Sequence, residues 1–170
     1  LQREEMIKLP IVLMEHPTGW KDAVRDAILT RDRLETLALK EADYIRPVLL
    51  FQAEAKNGEA TVEALLAHLT SADGEKLDRR QIAVATGDQK ELDGIVLSDP
   101  ACPIRYVITV EALKEGWDCP FAYVLCSLQD AKSGKDVEQL LGRVLRMPYA
   151  RARTTPELNK AYAHIVAQGF

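Results

Sequence analysis

Gln139, Gly142, Arg143 and Arg146 are spaced i, i+3, i+4 and i+7, which on a helix places them on one face. Val137, Leu140, Leu141, Val144 and Leu145 fall on the other side and form the apolar stripe such a helix needs to dock on a core. The polar face is unusual in its chemistry. A solvated face favours Glu, Lys and Gln, whereas this one carries a mid-helix glycine, which costs about 1 kcal/mol relative to alanine. Glycine there lets a large group approach the backbone between two guanidinium groups. Each guanidinium presents a rigid, permanently charged fork suited to a planar or tetrahedral anion. The spacing predicts a face that receives a phosphate. Taken alone it is equally compatible with an amphipathic helix that bears two surface arginines.

A second pattern lies upstream. Thr109-Val110-Glu111-Ala112-Leu113-Lys114-Glu115-Gly116-Trp117-Asp118-Cys119-Pro120 follows the apolar run Tyr106-Val107-Ile108 and precedes Phe121-Ala122-Tyr123-Val124-Leu125-Cys126. The order predicts strand, short helical loop, tight turn and strand. The Gly116-x-Asp118-x-Pro120 turn and the Gln139-x-x-Gly142-Arg143-x-x-Arg146 helix together resemble motifs V and VI of superfamily 2 helicases and translocases. The wording Lys114-Glu115-Gly116-Trp117-Asp118-Cys119-Pro120, with Met147-Pro148-Tyr149-Ala150 beyond it, is similar to the restriction (Res) subunit of type III restriction-modification enzymes. So are the segments Thr18-Gly19-Trp20-Lys21-Asp22-Ala23-Val24 and Ala85-Thr86-Gly87-Asp88-Gln89-Lys90-Glu91-Leu92-Asp93-Gly94. The resemblance covers most of the chain from about Trp20 onward.

It implies an α/β fold: a RecA-like, doubly wound, mostly parallel sheet with helices on both faces, preceded by a long N-terminal helix. Residues 1–17 would be a connector from an N-terminal motor domain, 18–170 the second RecA-like domain, and 18–44 the long helix. By the same resemblance Arg146 would be the arginine finger on the γ-phosphate, a role that stabilises charge developing in phosphoryl transfer. Arg143 would share that role or bind the adjacent phosphate. Gln139 and Gly142 would lie at the nucleotide, and Gly116 and Asp118 would couple nucleotide to nucleic acid. Asp118 has a second reading, because aspartate also caps turns on local grounds. Thr109, Thr86, Gly87 and Gln52, at predicted strand ends, are candidates for DNA contact. Their hydroxyl groups could position phosphates without reading sequence, or could satisfy local backbone. Trp117 reads better as packing under the turn than as a stacking platform.

The remaining elements are those of an alternating α/β chain. Lys8 to Leu13 is a short extended candidate interrupted by proline. From Thr18, a plausible cap, helical spacing joins Trp20, Val24, Ala27, Ile28, Leu34 and Leu37. Pro47 to Phe51 reads as a buried parallel strand, Val62, Leu65, Leu66 and Leu69 as a helix, and Gln81 to Ala85 as the next strand. Strand alternating with helix implies parallel pairing, with function at the carboxyl ends of the strands.

Composition sets outer bounds. The 170 residues are 47% hydrophobic and 28% charged, ordinary for one globular domain. The net charge of -4 argues against binding nucleic acid by bulk electrostatics. The distribution is uneven: residues 132–160 hold 7 Lys or Arg against 3 acidic residues (+4), and residues 40–100 hold 7 against 12 (-5). No apolar run is long enough to span a membrane. The start, Leu1-Gln2-Arg3-Glu4-Glu5, has neither an initiator Met nor a signal-like apolar region and reads as a piece of a longer protein. Cys102, Cys119 and Cys126 lack paired metal spacing and read as reduced thiols of a cytoplasmic protein, with Cys126 in the core and Cys119 open to a reactive role. His16, His68 and His164 are far apart in sequence, so no metal site is expected.

A Gly-x-x-x-x-Gly-Lys-Ser/Thr phosphate loop is missing from the sequence, as is an acidic pair after an apolar strand. Nor does a nuclease set stand out. Superfamily 2 motors divide their ATP site between two RecA-like domains, and this chain matches only the second. The expectation is therefore an ATP-dependent DNA translocase whose ATP and Mg2+ are held with an N-terminal RecA-like domain of the same protein. DNA and a methyltransferase (Mod) subunit would be its partners, and this piece alone would be inactive. Two alternatives stand beside it: the equivalent lobe of another superfamily 2 helicase resembling the excinuclease motor, and a catalytically silent RecA-like scaffold.

Overall fold

Apolar runs without polar alternation can be buried only between two layers, and here they become the strands of one sheet. The computed structural model describes residues 7–110, 119–129, 141–142 and 146–166. Its strands are β1 (Ile11–His16), β2 (Val48–Gln52), β3 (Ile82–Val84), β4 (Tyr106–Thr109), β5 (Ala122–Ser127) and β6 (Ala161–Val166). They form a six-stranded sheet in the order β1-β6-β5-β2-β4-β3. Every pairing is parallel. All residues of β2, β3, β4 and β5 are buried, whereas β1, at one edge, alternates exposed and half-buried positions.

Two α-helices are described, α1 (Trp20–Ala38) and α2 (Val62–Thr70). Both connect strands by steps in the same direction along the sheet, β1 to β2 and β2 to β3. The right-handed crossover rule puts such helices on the same face. Their contacts agree: the Trp20 ring meets His68 edge-on, and Arg25 pairs with Glu75 just beyond α2. The steps from β3 to β4, β4 to β5 and β5 to β6 run the opposite way, so the direction of winding reverses at edge strand β3. The doubly wound α/β architecture expected from the sequence is the one observed.

Several local expectations are corrected. Residues 11–16, which fall within the stretch expected to be a connector, are a strand of this sheet, paired with β6 from Ile11↔Ala161 to His16↔Val166. The N-cap of α1 is Gly19, not Thr18. Gly19 has φ 118°, a conformation that glycine adopts without the cost of a Cβ, and the Thr18 hydroxyl donates instead to the Asp22 carboxylate. The helix ends at Ala38 rather than near Tyr44. Its last carbonyls are taken by Leu39, Lys40 and Glu41 N–H groups in a tightening turn. The Glu41 carboxylate then accepts from the backbone and hydroxyl groups of Thr154 and Thr155, which requires the chain to have left the helix.

Long cations hold the periphery of the core. The buried Arg46 guanidinium donates to the carbonyls of Ile104, Leu97 and Asp99 and to the Tyr44 hydroxyl. Arg31, also buried, donates to Pro47 O and pairs with Asp32 and Glu35 while lying over the Tyr106 ring. Arg153 pairs with Asp43 at 2.9 Å. This guanidinium, counted among the basic residues of 132–160, therefore serves the fold and faces no external anion. Among the described residues, no buried side-chain nitrogen or oxygen lacks a hydrogen-bond partner.

His164 lies in β6 beneath α1, fully buried, and burial together with nearby His16 lowers its pKa to about 4. Between that value and about 6.5 the unfolded chain binds a proton that the folded chain does not. Stability contributed by this residue is therefore intact above about pH 6.5 and falls as pH drops toward 4, by about 3 kcal/mol in total. Urea midpoints measured at pH 7, 5.5 and 4.5 should show this slope in the wild type, and a His164→Gln variant should show a shallower one. Equal slopes would mean that His164 takes up its proton in the folded state.

Candidate functional site

The carboxyl ends of β2, β3 and β4 open onto a cleft of about 950 Å3. Thr86, Gly87 and Thr109 line it, so three of the four residues expected to contact DNA are brought to one surface. Thr86 lies in a turn that folds back on the edge of the sheet. Its N–H donates to Gln89 O at 2.7 Å and its hydroxyl accepts from Gln89 N–H at 3.0 Å. A hydroxyl that accepts one bond still has its hydrogen to donate outward. Gly87 is exposed, and a Cβ placed there would touch nothing within 4 Å, so a ligand backbone can approach it closely. Thr109 ends β4 and is almost fully buried at the cleft floor.

The turn also protects an edge. Glu91 accepts from Val84 N–H and forms a two-point ion pair with Arg79, while its own N–H donates to Val84 O. The backbone of edge strand β3 is thereby closed to other strands.

Gln52, the fourth DNA candidate, has a different place. It is fully buried. Its side-chain carbonyl accepts from Ser127 Oγ at 2.7 Å, and its amide reaches Val110 O at 3.5 Å. A side chain so enclosed serves the sheet and does not reach a DNA phosphate. Gln129, which sequence reasoning passed over, completes the arrangement by donating to Ala53 O at 2.9 Å and Val110 O at 2.8 Å. Gln52, Ser127 and Gln129 thus clasp the carboxyl ends of β2, β4 and β5. A polar residue closing each of three adjacent apolar strands was the available signal. Of the clasp, only Gln52 was expected to reach DNA.

The charge around the cleft is mixed. Glu54, Glu63, Asp88 and Asp93 line it against Lys56 and Lys90. The N-terminus of α2 opens toward it, with Thr61 Oγ1 accepting from Ala64 N–H. The carboxylate nearest the preceding loop, Glu54, is committed to Ala60 N–H at 3.1 Å. It is packed so closely that a Cβ on Gly58 would lie 2.6 Å from its side chain. The Glu54 carboxylate is thus spent on its own loop.

Arg146 lies elsewhere. Gly116, Asp118, Gln139 and Arg143 fall outside the described residues. Gly142 is helical and exposed, with nothing within 4 Å of where a Cβ would be, and Leu141 beside it packs against the core. Arg146 departs from the expected helix face. It forms an antiparallel bridge with Ile7, and its carbonyl accepts from Lys8 Nζ at 2.6 Å. Beyond it Met147, which precedes Pro148, is extended at ψ 141°. Tyr149 and Ala150 then turn through φ 60° and φ 50°, left-handed values uncommon for residues with a side chain. The Tyr149 hydroxyl anchors this turn on Tyr44 O at 2.6 Å.

Lys8 is fully buried and also donates to Ala122 O at 2.9 Å, so Arg146 is fastened near the amino end of β5. The cleft opens at the carboxyl ends. The residue exposed at 146 and the residues of the cleft therefore occupy opposite ends of the sheet and do not converge on one centre.

Cysteine chemistry is confined. Cys126 is wholly buried, and burial drives its thiol pKa upward; burial pushes Cys119 up to about 11. A thiol kept protonated is a poor nucleophile, so Cys119 is not the reactive residue its position suggested. The histidines also differ from expectation: His16 and His164 meet at 2.9 Å, with Asp26 3.7 Å from His16, and His68 pairs separately with Glu75. No described helix is long and apolar enough to cross a membrane.

Removing the Ser127 hydroxyl strands the buried Gln52 carbonyl. Ser127→Ala should therefore lower stability by about 1–3 kcal/mol, and Gln129→Leu should do so comparably by freeing Ala53 and Val110 carbonyls. Chemical denaturation of each variant and the pair measures this. Additive losses would mean that the clasp does not act as a unit.

No protein-family model matches the chain, and a search of curated proteins finds no match.

Proposed function

We propose that this chain is the second RecA-like motor domain of an ATP-dependent DNA translocase, most like the Res subunit of a type III restriction enzyme. The observation that carries the proposal is the ordered pair of sequence patterns, Gly116-x-Asp118-x-Pro120 and Gln139-x-x-Gly142-Arg143-x-x-Arg146. The first lies between β4 and β5 and the second between β5 and β6 of an all-parallel sheet. In open α/β sheets ligands bind outside the carboxyl ends of the strands, where Thr86, Gly87 and Thr109 line the cleft. The separation of the exposed residue at 146 from the cleft suits a domain with a nucleotide-facing and a nucleic-acid-facing surface. In this reading ATP and Mg2+ are bound chiefly by an N-terminal motor domain, with Arg146 and Arg143 supplied from this one. Thr86 and Gly87 meet the DNA backbone, above the buried Thr109 of the cleft floor. A Mod subunit and cytoplasmic location belong to the same proposal.

The chain alone should hydrolyse no ATP in the presence of Mg2+ and DNA, because its sequence offers no phosphate loop and Glu54 is engaged locally. In a protein that joins it to the complementary motor domain, Arg146→Ala should lower DNA-stimulated turnover by about 10³-fold or more with little change in ATP affinity. Arg146→Lys should rescue poorly, since a point charge does not reproduce the fork. Wild-type turnover in a folded Arg146→Ala protein would refute the arginine-finger role. Turnover by the isolated chain would refute the half-site reading.

DNA binding by the chain alone should be weak and fall steeply with salt, given a net charge of -4 and a cleft with more carboxylates than lysines. Titration of labelled single- and double-stranded DNA across a salt series tests this. Tight, salt-insensitive binding would show that recognition rests on other surfaces.

A further inference from the structure

We propose that His16, His164 and Asp26 form a binding site for one transition-metal cation of the zinc class, independent of the motor reading. The three come from different elements: the end of β1, the middle of β6 and the first half of α1. Their ligand atoms all lie within 4.8 Å of one another. His16 Nε2 is 2.9 Å from His164 Nδ1 and 3.7 Å from Asp26 Oδ2, and the two rings are nearly parallel, 15° apart. Two imidazoles and one carboxylate suit zinc, nickel, copper or ferrous iron; magnesium and calcium prefer all-oxygen sets.

A second contact prepares the site. The Thr30 hydroxyl donates to Asp26 O at 3.0 Å, which leaves its oxygen to accept from His164 Nε2 at 3.1 Å. His164 then carries its proton on Nε2 and turns the Nδ1 lone pair toward His16 and Asp26. Ligating histidines are commonly oriented in this way through their second nitrogen. Without a cation, the His16 Nε2–H fills the gap as a hydrogen bond to His164 Nδ1. On binding, that proton moves through solvent to His16 Nδ1, and the cation takes its place, displaced toward Asp26. With bonds of about 2.1 Å, tetrahedral ligands stand about 3.4 Å apart, so the nitrogens separate by about half an ångström and the carboxylate closes in. His164 is fully buried and the His16 side chain only 11% exposed, whereas Asp26 is 52% exposed, so the site has a closed floor and a mouth through which water completes the coordination. A bound cation would tie edge strand β1 to β6 and to α1.

The test uses the 170-residue protein with Zn2+ alone, followed by calorimetry, and with Co2+ alone, followed by its visible d–d spectrum. The expected result is one Zn2+ per chain, a low-symmetry Co2+ spectrum, and a melting temperature that rises with Zn2+. Asp26→Asn, at a half-exposed position that should fold normally, and His16→Gln should each weaken Zn2+ binding at least tenfold. Thr30→Val, which leaves every ligand in place, should weaken it by about tenfold or more. His68→Gln should bind as the wild type does. Absence of stoichiometric Zn2+ and Co2+ binding in the wild type would overturn the proposal. So would binding that survives unchanged in folded Asp26→Asn and His16→Gln proteins.

Discussion

Five consecutive residues of β2, Val48 to Gln52, are removed from water on both faces, and a backbone so placed must find its hydrogen bonds within the sheet. That constraint organises the molecule. It demands strands on each side, supplied by β5 and β4, and apolar side chains at each buried position until the strand ends. Polar groups can enter only at the ends, and there they must be paired. At the carboxyl end Gln52, Ser127 and Gln129 satisfy one another and the first carbonyls beyond the strands. At the amino end buried cations do the equivalent work, with Arg31 on Pro47 O and Lys8 on Ala122 O. The cleft and the residues beside it are where this closed sheet meets solvent.

The same constraint explains what could be read from the residues. A parallel strand buried on both faces must be an uninterrupted apolar run, so β2, β3, β4 and β5 were legible as sequence. The edges were not. In β1 only half-buried positions alternate with exposed ones, and Pro10 precedes it, so the sequence offered only a short extended candidate from Lys8 to Leu13. In β6, Ala161 to Val166 includes a histidine that only tertiary contacts with Thr30 and His16 can accommodate. Helix boundaries failed for a related reason. Propensity carries α1 well past Ala38, but Glu41 is worth more to the fold as an acceptor for the 154–155 backbone. Of the candidate site, the strand-end threonines were legible because the topology puts strand ends together. Gln52 was misplaced because a side chain's direction at a strand end is set by its neighbours, here Ser127.

Arginine is the residue whose role sequence constrained least. Reading guanidinium groups as anion grips ignores that five donors in a fixed plane can serve carbonyl oxygens equally well. Arg46 binds three backbone carbonyls from the 97–104 loop and Arg31 spans Pro47 and two carboxylates. Arg153 is held by Asp43. These are buried arginines. Arg146 differs in being exposed, and the chain fixes it through its backbone.

β5 connects the two surfaces of interest. Near its amino end, Lys8 joins Ala122 to Arg146; at its carboxyl end, Ser127 and Gln129 hold the strand to Gln52, Ala53 and Val110. Between them lie only buried residues with parallel neighbours on both sides. Close-packed strands of this kind do not stretch or bend by the amounts a continuous deformation would need. In the proposed motor, a displacement felt at position 146 would therefore reach the cleft as movement of the whole sheet. Coupling between nucleotide and nucleic acid would then be rigid-body motion of this domain against another, with the polar clasp and the Lys8 anchor keeping the two ends in fixed relation.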